Sequence, residues 1–167
     1  MDISRIRELK QLLTDLTGRF EALRELMLVE RGFLMKRRTQ EVEETSRRIR
    51  DLLEEIRQEE ARRQELVADL GQSLGLPGPT LTLKELVEAL GETARKLDLP
   101  KCREKLKEAI LQADEANKAN KAVLRGIQAA TQAVLGVLTE GTAKPVAYTR
   151  TGSHKAGNGL NLFSRQL

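Results

Sequence analysis

Tryptophan is absent from the 167 residues, tyrosine occurs once and phenylalanine three times. So little aromatic area is unusual for a compact globule. The single cysteine, Cys102, excludes an internal disulfide and fits a reducing compartment. The single histidine, His154, has no second histidine or cysteine partner, which argues against a zinc site or a catalytic triad. No run of about 18 uncharged apolar residues is present to span a bilayer. The opening "MDISRIRELKQ" lacks the apolar core of a signal peptide. The expectation is a soluble, cytoplasmic protein that is not inserted in a membrane.

Acidic residues are missing from the C-terminal region. After Glu140 there is none, while Lys144, Arg150, Lys155 and Arg165 follow. Of the 29 Lys and Arg, the 25 that precede this stretch balance the 25 acidic residues, so the net charge of +4 belongs to the tail. Four cations scattered over so long a segment make a weak electrostatic footprint, and nucleic acid is not an expected partner.

What remains is rich in Leu, Glu, Arg, Lys and Ala, with 32% charged residues, the composition of long helices and coiled coils. Ile6, Leu9, Leu13, Leu16, Phe20, Leu23 and Met27 step by threes and fours, a heptad seam that Glu30 and Leu34 continue. This first helix is expected to end in "KRR", Lys36 to Arg38, with Thr39 as the N-cap of a second. The second seam runs through Val42, Thr45, Ile49, Leu52, Ile56, Glu59, Arg63, Leu66 and Leu70. Its middle, "EIRQEEARRQE", carries charge on the seam and predicts loose or frayed packing there. "GQSLGLPGPT" stops the helix with three glycines and two prolines.

Thr82 and Glu85 in "TLKE" are spaced as a capping box that opens a short helix to about Leu90 or a little beyond. Pro100 suits the first turn of a last long helix reaching about Glu140. The fold class is therefore all-α: an elongated antiparallel bundle of three long helices plus one short helix, packed as in a coiled coil. Residues 1–141 form the bundle and residues 142–167 an extended basic C-terminal tail.

Signals of catalysis are nearly absent. "TGSHKAGNG" neither follows a strand nor opens a helix, so it is no phosphate loop. The many carboxylates read as solvated helix faces. No catalytic residue, metal or cofactor is expected, and the protein is read as a non-enzyme.

The last third of the final helix is the informative segment. Leu124, Ile127, Thr131, Val134 and Leu138 continue the seam begun by Leu106, Ile110 and Ala113. A second stripe, Ala122, Gly126, Ala129, Ala133 and Gly136, lies on nearly the opposite face, with Val123, Ala130 and Val137 between the two. No charge occurs from Gly126 to Thr139. An exposed bundle helix ordinarily carries Lys and Glu outside. Two readings of this smooth face are open: the chain covers it itself, or it receives an amphipathic helix from a partner.

With these pieces placed, the chain resembles the FlgN-like family of export chaperones for the flagellar hook-associated proteins. The resemblance rests on "LMLVERGFL", "ELVADLG", "TLKELVEAL", above all "ANKANKAVL", and "VAYTRTG" after the last helix. It covers most of the chain; "SHKAGNGLNLFSRQL" has no counterpart. It implies a non-enzymatic chaperone that binds the C-terminal helical segments of hook-associated proteins. Such a chaperone prevents their premature assembly and delivers them to the cytoplasmic domain of the flagellar export gate. A structural coiled-coil or adaptor protein that self-associates into homo-oligomers through the same face is the alternative.

Asn117 and Asn120 fall on the final helix's repeat, and three readings of them stand: a polar seam that fixes register, amides that face water on a locally rotated helix, or amides that bond a cargo backbone. Tyr148, the lone tyrosine, is expected either to dock on the export gate or to pack back on the bundle. Leu160, Leu162, Phe163 and Leu167 are expected to lie over the Ala/Gly face, on the same molecule or a neighbour.

Overall fold

A computed structural model describes residues 3–76 and 80–140, with side chains as far as Val137. The tail expected at 142–167, with Tyr148 and the apolar residues 160–167, lies outside the described residues, as does the side chain of Leu138. Every regular element among the described residues is helical: α1 (Ile3–Met35), α2 (Thr39–Ser73), α3 (Leu83–Leu90), α4 (Glu92–Lys96) and α5 (Leu99–Glu140).

Helix α1 is the axis of the molecule. The seven seam residues from Ile6 to Met27 are all buried, and Leu12 and Leu34 join them. Burying one such side chain contributes about 1.5–3 kcal/mol before the entropy of ordering is counted. Both long partners pack on α1, while the backbones of α2 and α5 do not meet each other. Cross-helix ion pairs fix α2 antiparallel to α1: Arg5 with Asp69 at 3.1 Å, Arg62 with Glu8 at 2.5 Å, and Arg19 with Glu59 at 2.7 Å. Helix α5 runs the same way as α1. At its start Asp98, its carboxyl held low by Lys101 and then by Lys10, sits beside the early turns of α1. Further on, Asn120 reaches Met27 and Glu30. The result is an elongated up-down-up bundle in which the down helix α2 and the up helix α5 both pack on α1.

The α1–α2 turn is tight. Arg37 takes a left-handed backbone (φ 54°), its N–H donates to the Leu34 carbonyl at 3.1 Å, and the Arg38 N–H donates to the Phe33 carbonyl at 3.0 Å. This is the Schellman arrangement, with arginine where glycine is usual. Arg38 then serves directly as the N-cap of α2 and makes no side-chain cap bond. Thr39, expected as the cap, is instead the first helical residue: once Arg37 has reversed the chain, no linker remains to place a cap further on. At the far end Gly75 (φ 74°) closes α2 by the same motif.

The charged middle of α2 is neither loose nor frayed. Glu60 and Arg63 are buried, and the guanidinium donates from Nε at 2.8 Å and from a second nitrogen to the two carboxylate oxygens. Pairing one turn apart on the same helix neutralises both charges before burial, and the arginine stem adds apolar area.

Helices α3 and α4 close the base. The Thr82 hydroxyl accepts from the Glu85 N–H at 3.2 Å, and the Thr82 N–H donates back to the Glu85 carboxylate at 2.8 Å, completing the expected capping box. The Thr82 N–H foremost, and then the Thr82 hydroxyl donating to the same carboxylate at 2.8 Å, hold the Glu85 carboxyl below its ordinary range. Gly91 (φ 53°) breaks the segment into two short helices.

Candidate functional site

Helix α5 outruns its partner. Asn120 stands level with Met27 and Glu30, and α1 stops at Met35, so about the last dozen residues of α5, roughly 20 Å, have no α1 beside them. The seam therefore ends earlier than its pattern. Leu124, Thr131 and Val134 are exposed (Val134 by 60%) and Ile127 is half-buried. The expectation that they continue the bundle core is corrected: the apolar repeat persists where the partner helix does not.

Leu124, Ile127 and Thr131 instead line a cleft of about 360 Å³ beside the α1–α2 turn. Leu34, Val42, Leu124 and Ile127 supply apolar walls and Thr131 a methyl and hydroxyl. Arg37 and Glu43, both exposed, contribute one charge of each sign. The cleft exists because α1 ends and α2 begins within three residues there, leaving the side of α5 open.

The residues expected to take cargo lie around the same overhang. Ala122, Gly126, Ala129, Ala130, Ala133 and Val137 are exposed; Val123 and Gly136 are half-buried. Val137 is exposed by 74%, large for an aliphatic side chain on a helix. The overhang thus presents uncharged surface on several sides, with the cleft at its root.

Asn120 and Asn117 part company. Asn120 is buried, and its Nδ2 donates to the Met27 carbonyl at 2.7 Å and to Glu30 Oε2 at 2.9 Å. The Ser46 hydroxyl donates to Glu30 Oε1 at 2.5 Å, so one polar chain ties α5, α1 and α2 together. The Asn120 Oδ1 is buried with no hydrogen-bond partner. Asn117 is only half-buried, because the seam passes through Leu106, Ala109, Ala113, Ala116 and Asn120 rather than through Ile110 and Asn117. Alanines at Ala109 and Ala116 let α5 lie close on α1.

Pattern reading missed Leu34 and Val42, which were assigned to core seams, and the cleft they form with α5. Helix lengths held the available signal: 33 residues for α1 against 42 for α5. Among the described residues no group of three His, Cys, Asp or Glu gathers to hold a metal, and no helix is long and apolar enough to cross a membrane.

No curated protein and no solved structure matches the chain. The sequence profile of the FlgN protein family, however, matches residues 1–156, nearly the whole of it. On that match the chain belongs to the FlgN family and is a flagellar export chaperone rather than an enzyme.

Proposed function

We propose that this protein is a cytoplasmic chaperone whose α5 overhang binds the C-terminal helical segments of hook–filament junction proteins. It holds them unassembled and carries them to the export gate. The observation that supports this most is the uncharged surface from Gly126 to Val137, continuous with the apolar cleft of Leu34, Val42, Leu124 and Ile127. An amphipathic cargo helix lays its apolar side on such a surface, and Ala122, Gly126, Ala129, Ala133 and Gly136 let its backbone approach closely. Val123, Ala130 and Val137 supply the larger contacts. The tail, centred on Tyr148, makes a separate docking element for the gate.

Ala129→Glu or Ala133→Glu tests this. Both positions are exposed, so the fold should change by no more than about 0.5 kcal/mol. Cargo affinity, read by titration calorimetry, should fall by about two orders of magnitude, since an unpaired charge would be buried in the complex. Loss of helicity in the variant would show the face to be part of the bundle's own core. The exposed apolar overhang also supports self-association. A sedimentation mass that rises with concentration favours that reading, and one-to-one cargo binding by a monomer favours the chaperone.

A further inference from the structure

The base of the bundle holds a second cavity, of about 290 Å³, where α3, α4 and the start of α5 meet. Lys84, Val87 and Glu88 stand at i, i+3 and i+4 on α3, and Pro100, Arg103 and Glu104 repeat that spacing on α5. Each helix therefore turns one face to the cavity, and Arg95 of α4 completes its wall. The cavity lies roughly 30–35 Å along α5 from the cleft at Leu124.

The charges around it do not cancel. Lys84, Arg95 and Arg103 against Glu88 and Glu104 leave one net positive charge. Both carboxylates already have a partner on their own helix: Glu104 takes a terminal nitrogen of Arg103, and Glu88 lies 3.9 Å from the Lys84 ammonium. Arg95 is exposed and makes no ion pair with any described residue. Arg103 is its opposite, with a side chain only 15% exposed. Its Nε is buried and has no hydrogen-bond partner. A buried guanidinium N–H left unpaired is costly, and such a donor on the wall of a cavity calls for an acceptor from outside the chain.

We propose that this cavity binds one carboxylate on a short aliphatic stem, held by Arg103 Nε and the Arg95 guanidinium. A single carboxylate neutralises the lining, whereas a phosphate dianion would overshoot it. The planar fork of an arginine matches the two oxygens of a carboxylate, and the half-buried Val87 and Pro100 offer the stem an apolar wall. A glutamate side chain of a partner protein and a free monocarboxylic acid both carry this chemistry. Either is held far from the overhang of α5, so it does not compete with a helix bound there.

The test follows the arginine Nε–H signals of the full-length, nitrogen-15-labelled protein by NMR. The Arg103 signal is identified as the one lost in Arg103→Lys. Four probes are titrated: glutamate blocked at both backbone ends, glutamine blocked in the same way, butyrate and inorganic phosphate. Blocked glutamate should shift the Arg103 Nε–H and bind about tenfold more tightly than blocked glutamine, which lacks the charge. Arg95→Gln, at an exposed position, should weaken blocked glutamate about tenfold. Arg103→Lys keeps the charge but removes the Nε donor, and it should weaken binding as much while the circular dichroism spectrum stays that of the wild type. Should that variant unfold, Arg95→Gln and the wild-type Nε–H signal still decide the matter. Blocked glutamate binding as tightly as butyrate or more so assigns the site to a protein side chain, and tighter butyrate assigns it to a free acid. An Arg103 Nε–H that neither carboxylate moves overturns the proposal. Phosphate binding as tightly as the carboxylates, or an affinity indifferent to Arg95→Gln, overturns it too.

Discussion

Asn120 shows what one polar residue does in a seam of alanines and leucines. Its two donor contacts meet groups fixed at one level of α1, so a slip of α5 by one turn would strand the amide in an apolar setting. That is how a buried amide selects register at some expense in stability. The pairing with Glu30 makes the site intolerant of another acid. Asn120→Asp removes the donor and sets a second carboxylate beside the first, with an expected loss of about 3 kcal/mol at neutral pH. Burial and the neighbouring charge raise the pKa of the introduced carboxyl in the folded state. Its penalty should therefore shrink as pH falls through that raised value and be greatest above it. Urea unfolding at several pH values measures this, and a pH-independent loss would show that Glu30 plays no part. Asn120→Leu, by contrast, should leave stability nearly unchanged while loosening the alignment of α5, visible as faster amide exchange across the seam.

At the scale of elements, the α1–α2 hairpin is governed by a single backbone conformation. The left-handed region costs a residue with a side chain about 1–2 kcal/mol relative to the right-handed one, and glycine is free of most of that strain. Arg37→Gly should therefore stabilise the protein by about 0.5–1 kcal/mol after glycine's larger entropy loss. A shift of the denaturant midpoint at constant slope reports it, and an unchanged midpoint would mean the turn is unstrained. The short base helices obey local rules more fully. Both bonds of the capping box are set by Thr82 and Glu85 three residues apart, and no distant contact is needed to place them. For that reason α3 was legible from four letters, whereas the Thr39 cap was displaced by a turn whose geometry involves residues on both sides.

Considered as a whole, the molecule is a rod with two unlike ends. One is closed by α3 and α4; at the other α5 projects past the hairpin and leads into the tail. On the proposed reading cargo and gate are held by different segments, the first on the overhang and the second through Tyr148, the only tyrosine. A single ring with one polar tip concentrates binding energy in a small contact. Tyr148→Ala is expected to weaken binding to the export-gate cytoplasmic domain at least tenfold while cargo affinity stays within about twofold. The two affinities are measured separately on the same protein. Equal loss of both would mean that Tyr148 packs on the bundle or the cargo instead.

Heptad spacing by itself determined that α1, α2 and α5 would be helices and which side of α1 would be buried, because that periodicity is a property of neighbours three and four residues apart. The spacing also located the uncharged stretch of α5. Where the seam would cease to be a core was beyond it. Leu106 and Leu124 look alike in the pattern, but Leu106 is fully buried and Leu124 is 41% exposed, since α1 accompanies one and ends near the other. The same limit applies to Glu60 and Arg63, whose charged stretch predicts loose packing until a shared burial site and a bidentate pairing are seen. Burial depends on what lies across from a residue, and only the packed helices supply that. The cleft of Leu34, Val42, Leu124 and Ile127 is such a case, assembled by tertiary structure from residues more than eighty positions apart in the chain.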